Sequence, residues 1–120
     1  MKGMQKISRG KGFGGALRYA FERREGDEAG LYVGGNMNGH DPESLTREFA
    51  VVHRLRPDIE KPVWHNALRL PEGEKLSAEQ WQKLADDYMA RMGFSELHQR
   101  VYVLHDDPDG QHIHIVASRV

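Results

Sequence analysis

The chain contains no cysteine, so it can hold neither a disulfide framework nor a thiolate zinc site. That usage fits a reducing compartment such as the cytoplasm. No stretch approaches the roughly 18 consecutive apolar residues of a membrane-spanning helix, so no membrane insertion is expected. The opening Met1-Lys2-Gly3-Met4-Gln5-Lys6 has no apolar run and no small-residue cleavage site, so a secretory signal is not expected either. Proline occurs five times and never as a linker, and no repeat or low-complexity tract is present. Four glycines cluster between Gly10 and Gly15, but the Gly-Lys-Ser/Thr ending of a phosphate-binding loop is missing. What remains is a chain of 120 residues, 38% hydrophobic, which predicts one domain over 1–120 with a modest core.

The net charge of −1 hides an asymmetry. Residues 1–24 carry seven basic side chains (Lys2, Lys6, Arg9, Lys11, Arg18, Arg23, Arg24) against one acid, Glu22. Most of the acidic residues lie downstream. The pattern suits a local polyanion site on an otherwise acidic protein, or a solvated basic arm. It does not suit a protein that coats nucleic acid non-specifically.

Periodicity predicts the order βαβαβαββ, an α+β fold with a largely antiparallel sheet. A short first strand is expected at 3–7. A helix follows with Phe13, Leu17, Ala20 and Phe21 on one side, and then a strand at Leu31-Tyr32-Val33. Asp41 as N-cap and Pro42 as first helical residue start a second helix striped by Leu45, Phe49 and Val52. A strand is expected from Val63 to Leu70. Ser77 to Gln80 forms a capping box, opening a helix striped by Trp81, Leu84, Ala85, Tyr88, Met89 and Met92. Val101 to His105 and Gln111 to Val120 read as strands around the turn-forming Asp106-Asp107-Pro108-Asp109-Gly110. The close approach of another backbone is one reading of the Gly10–Gly15 stretch.

The densest chemistry surrounds that turn. Residues two apart on a strand share a face, so His112 and His114 point together while Ile113 and Ile115 enter the opposite layer. If the turn closes a hairpin, His105 returns beside His112. Three imidazoles on one face can grip a divalent cation, with Asp107 placed to accept from one ring and fix its tautomer. Three surface histidines around a polar hairpin are the alternative. His65 reaches toward the same face of the sheet, although a structural role is the simpler reading. His53 is expected at the surface or half-buried, and His40 and His98 carry no assigned chemistry.

Tyr19 lies about 200° around the first helix from Leu17, off the apolar stripe and among arginines. Such a tyrosine can attack a phosphodiester while the arginines hold phosphates, or it can be an ordinary amphipathic surface residue. Tyr88 and Tyr102 fit packing positions, and Tyr32 is undecided between the two roles.

Together these segments resemble the conjugative relaxases, the mobilisation-type DNA-nicking enzymes of plasmids and integrative elements. Gly12-Phe13-Gly14-Gly15-Ala16-Leu17-Arg18-Tyr19 looks like the family's first motif. Trp64 to Lys75 looks like the second, and His105-x-Asp107-x-x-x-x-His112-Ile113-His114 like the third. The sequence departs from the pattern at Arg69, near which the family often has serine, and at Ser118, where asparagine is usual. The resemblance implies a relaxase-like palm with Tyr19 as nucleophile. It implies a divalent metal ion, Mg²⁺ or Mn²⁺ with Zn²⁺ possible in vitro, on His105, His112 and His114. It further implies single-stranded DNA at an origin of transfer, held by Lys11, Arg18, Arg23 and Arg24, and a 5′-phosphotyrosine intermediate. An accessory DNA-binding protein and secretion-coupling machinery are the expected partners. The family domain continues past such a last strand, so the chain is expected to be an N-terminal fragment of a longer domain. The rivals are an inactive DNA- or metal-binding remnant and a replication-initiator nuclease, in which the tyrosine usually follows the histidines. A histidine-triad hydrolase would need a third alternating histidine, where Val116 stands.

Overall fold

The computed structural model describes residues 5–10, 12–22, 30–107 and 110–120, with the main chain alone at 5–10 and at Asp107. The elements are β1 (Gln5–Gly10), α1 (Phe13–Phe21), β2 (Leu31–Gly35), α2 (Pro42–His53), β3 (Val63–Arg69), α3 (Ala78–Arg91), β4 (Arg100–Asp107) and β5 (Gly110–Ser118). This is the expected order. The first strand runs on to Gly10, past its expected end at residue 7, while residues 3 and 4 of the expected strand lie outside the described residues; β5 stops at Ser118.

All four strand pairings are antiparallel, in the order β1-β3-β5-β4-β2. β5 is the central strand, and every one of its residues is buried. It is covered on both faces. On one side α1 and α2 lay Phe13, Leu17, Ala20, Leu45 and Phe49 over Val63, Val101, Val103 and Val116. On the other, α3 lays Trp81, Ala85 and Met89 over Tyr102, Ile113, Ile115 and Ala117. The strict alternation of β5 is therefore divided between two cores, and Ile113 and Ile115 do enter the layer opposite the histidines.

The helix ends follow from their caps. Asp41 accepts from the Ser44 amide at 2.9 Å, with Pro42 at the first turn. Ser77 and Gln80 exchange capping-box bonds at 3.2 and 2.8 Å. In the first core Phe13 stacks on Phe49, with ring centroids 4.4 Å apart and planes 4° apart. This contact ties α1 to α2. In the second, the Trp81 indole N–H donates to Gln111 Oε1 at 2.7 Å, and the same oxygen accepts from the Leu76 amide at 2.7 Å. The hairpin between β4 and β5 requires glycine at position 110: φ is +142°, and a Cβ there would sit 2.7 Å from the Leu70 carbonyl oxygen. The Gly12–Gly15 stretch makes no such demand. Among the described residues, a Cβ on Gly12 or Gly15 would meet nothing within 4 Å.

Candidate active site

The β4–β5 hairpin places His105 directly opposite His112. His114, two residues along β5, shares their face. The three rings converge with centroids 5.1 Å (His105–His112), 5.2 Å (His105–His114) and 5.2 Å (His112–His114) apart. They do not form an exposed polar patch. All three lie beneath α1, each at most 3% exposed.

The last turn of α1 docks on this cluster at two points. Its apolar stripe turns Leu17 and Ala20 into the core, which leaves Tyr19 47% exposed. The Tyr19 ring stands edge-on to His114 at 5.6 Å and to His65 at 5.7 Å. One residue on, the Ala20 carbonyl lies 2.5 Å from His105 Nε2. A carbonyl oxygen only accepts, so Nε2 carries the proton and the neutral ring keeps its lone pair on Nδ1. That Nδ1 is buried and has no hydrogen-bond partner among the described residues. The acceptor that orients His105 is thus a main-chain carbonyl of α1. Asp107, expected to accept from one of the imidazoles, closes β4, and its side chain lies outside the described residues.

A fourth imidazole joins the group. His65 on β3 meets His114 through Nε2 and Nδ1 at 2.9 Å. Ala67, directly opposite His114 in the β3–β5 register, is small, and His65 sits diagonally across from His114 on the same face. The sequence hinted at this position, but the simpler structural reading missed the contact, which depends on a register between strands far apart in the chain.

The expected basic contacts divide. Arg18 is exposed and lines an open hollow of about 580 Å³ with Gly15, Tyr19, Phe21, Glu22 and Pro42. Lys11, Arg23 and Arg24 lie outside the described residues. The undecided Tyr32 stacks on His40 at 4.1 Å. Burial and the nearby Glu48 carboxylate raise its pKa, which disfavours its phenolate. Tyr102 is held in the sheet by a 2.5 Å bond to Asp86, as its packing role predicts. The His53 ring meets the Ile59 carbonyl at 3.2 Å, a local tie at the end of α2.

The donor set suits a divalent ion. Three imidazoles share a face, one with a buried lone pair that has no partner among the described residues and its other nitrogen bonded to a carbonyl, the usual support of a ligating histidine. The ring orientations are not those of a closed site. His105 and His112 lie with their planes only 7° apart. Among the described residues, no three His, Asp or Glu side chains stand ready to hold a metal ion as arranged.

A family model described as the MobA/VirD2-like relaxase nuclease domain matches residues 19–120. Protein TraI of Escherichia coli is 34% identical over 80 residues, which cover 66% of this chain and 11% of that protein. Protein MobA of Acidithiobacillus ferrooxidans is 38% identical over 56 residues, covering 47% of this chain and 13% of its own length. The chain therefore spans a small part of the curated relatives it matches. No solved structure matches it. Because the family model runs from Tyr19 through the paired histidines to the last residue, the chain belongs to the MobA/VirD2-like relaxases.

Proposed function

We propose that this chain is the catalytic core of a relaxase that nicks and rejoins single-stranded DNA at an origin of transfer. The observation that carries the reading is the seat of Tyr19: exposed on α1, yet edge-on to two imidazoles of a buried histidine cluster. A phenol in that position is open to a DNA strand and adjacent to the groups that act on its phosphate.

The Tyr19 oxygen attacks phosphorus and gives up its proton to solvent. The bond from phosphorus to the 3′ oxygen breaks, and that oxygen takes up a proton to leave as a 3′-hydroxyl. The product is a 5′-phosphotyrosine link, and attack by a 3′-hydroxyl reverses it. His105, His112 and His114 would hold the divalent ion, Mg²⁺ or Mn²⁺, with Zn²⁺ acceptable in vitro. When bound, the ion supplies Lewis-acid polarisation of the phosphate. Arg18, beside Tyr19 in the open hollow, places a guanidinium where the strand's phosphates would run. Lys11, Arg23 and Arg24, outside the described residues, are further candidates for phosphate contacts on the strength of their charge, and Asp107 is a further candidate support for the imidazoles. An accessory DNA-binding protein, secretion-coupling machinery and a cytoplasmic setting complete the reading. Among the described residues, no helix is long and apolar enough to cross a membrane.

Incubation with a randomised single-stranded DNA pool and Mn²⁺, resolved on a denaturing gel, tests the proposal. The expected result is a slow, nuclease-sensitive protein band that is lost in Tyr19→Phe and in His114→Ala. A band that persists in Tyr19→Phe places the nucleophile elsewhere. Absence of any band from a folded wild type favours an inactive DNA-binding remnant, a second reading suggested by the lack, among the described residues, of three side chains arranged to hold a metal ion.

A further inference from the structure

His65 is the one imidazole on this face that the metal reading leaves without a task. It lies on β3, whereas His105 lies on β4, and β5 runs between them. His114, on β5, turns its Nδ1 toward β3 and meets His65 Nε2 there at 2.9 Å. That contact occupies Nδ1, so any ion held by His114 must be held through Nε2. A neutral imidazole ligates only through the nitrogen that carries no proton, so Nδ1 must bear it.

We infer that His65 is a positioning residue: its Nε2 accepts the Nδ1–H of His114, holding that ring in the Nδ1–H tautomer with Nε2 presented as the ligating atom. The inference rests on the metal-ion reading above and assigns it a fourth imidazole. Two features favour it. The small Ala67 opposite His114 leaves the diagonal path between the rings open. The neighbouring His105 is oriented in the complementary sense, by a carbonyl on its Nε2. The two rings thus have opposite tautomers, each set by an acceptor from a different element: Ala20 of α1 for His105, His65 of β3 for His114. Tyr19, against both His65 and His114, is seated on the pair whose geometry His65 fixes.

The test uses the ¹⁵N–¹H ring correlations of histidine in the metal-free protein, together with Mn²⁺ titration. Wild type is expected to show His114 as the Nδ1–H tautomer. In His65→Leu, which keeps an apolar side chain of similar bulk, His114 is expected to revert to the Nε2–H form favoured in water. Mn²⁺ affinity should then fall by about 10–100-fold, the usual cost of losing such a support. His65→Gln supplies an amide oxygen that can accept in place of the imidazole nitrogen. It is expected to restore both the tautomer and most of the affinity, a rescue that a purely space-filling role would not produce. An Nε2–H His114 in wild type, or an unchanged tautomer in a folded His65→Leu, overturns the inference. If the tautomer shifts as expected but wild type binds no Mn²⁺, the metal-ion reading falls while the positioning of His114 stands.

Discussion

Gly30 is where a single methyl group would reach the histidine cluster from behind. Its amide donates to the Phe21 carbonyl at 3.2 Å, which brings the chain back against the end of α1. A Cβ at this position would lie 2.5 Å from Val103 Cγ1, 2.9 Å from the Ala20 oxygen and 2.9 Å from His105 Nε2. Ordinary contact is about 3.5 Å, so each atom must retreat by roughly 0.6–1 Å. None can do so freely: Val103 and His105 are buried, and the oxygen belongs to a helix. Overpacking of this kind costs about 1–3 kcal/mol. Weakening the His105–Ala20 bond adds about 1 kcal/mol, so Gly30→Ala is expected to lose about 2–4 kcal/mol in urea unfolding. Mn²⁺ affinity should fall with it, because the wedge enters between His105 and its acceptor. Gly15→Ala is the contrast. It lies within α1 with nothing within 4 Å of its Cβ position, and should gain about 0.5–1 kcal/mol from helix propensity. Equal unfolding midpoints for Gly30→Ala and wild type would refute the reasoning.

Three further outcomes follow from other parts of the fold. Burial, first, and the Asp86 bond, second, raise the Tyr102 phenol above its ordinary value of 10.0. A raised pKa gives stability that is complete below pH 10 and lost as pH rises through the folded value. Tyr102→Phe should therefore cost about 1 kcal/mol at neutral pH and flatten the alkaline decline in a pH series of melting curves. Ser77→Ala removes the reciprocal cap of α3 and should cost about 1 kcal/mol in denaturant unfolding. Ala67→Leu fills the diagonal between His65 and His114, and is expected to remove the Nδ1–H signature of His114 while leaving the far-ultraviolet spectrum unchanged.

Local signals carried most of the element order. Asp41-Pro42, the Ser77–Gln80 box and the apolar stripe of α3 each depend on neighbours within a turn or two, so a linear pattern is sufficient to locate them. The His105–His112 pairing was legible for the same reason, since a short turn fixes hairpin register. The contact of His65 with His114 was not. It depends on how β3 lies against β5, a pairing across some fifty residues that no local pattern specifies. The acceptor for His105 was hidden because it is a main-chain carbonyl, which any residue type would provide. The burial of the histidines follows from α1 lying over the hairpin, whereas polar residues beside a turn read naturally as surface. Tyr19 was the reverse case: its position off the apolar stripe is a helical-phase argument, and the exposed ring follows it.

In the proposed reaction Tyr19 forms the covalent link to DNA, seated on the histidine cluster beneath it. The most direct measurement is the intact mass of the protein after reaction with single-stranded DNA and Mn²⁺, followed by peptide mapping of the adduct. The account predicts a nucleotide attached through its 5′-phosphate to the peptide containing Tyr19, and none in Tyr19→Phe. An adduct mapped to Tyr32, to a histidine or to any other residue would contradict it.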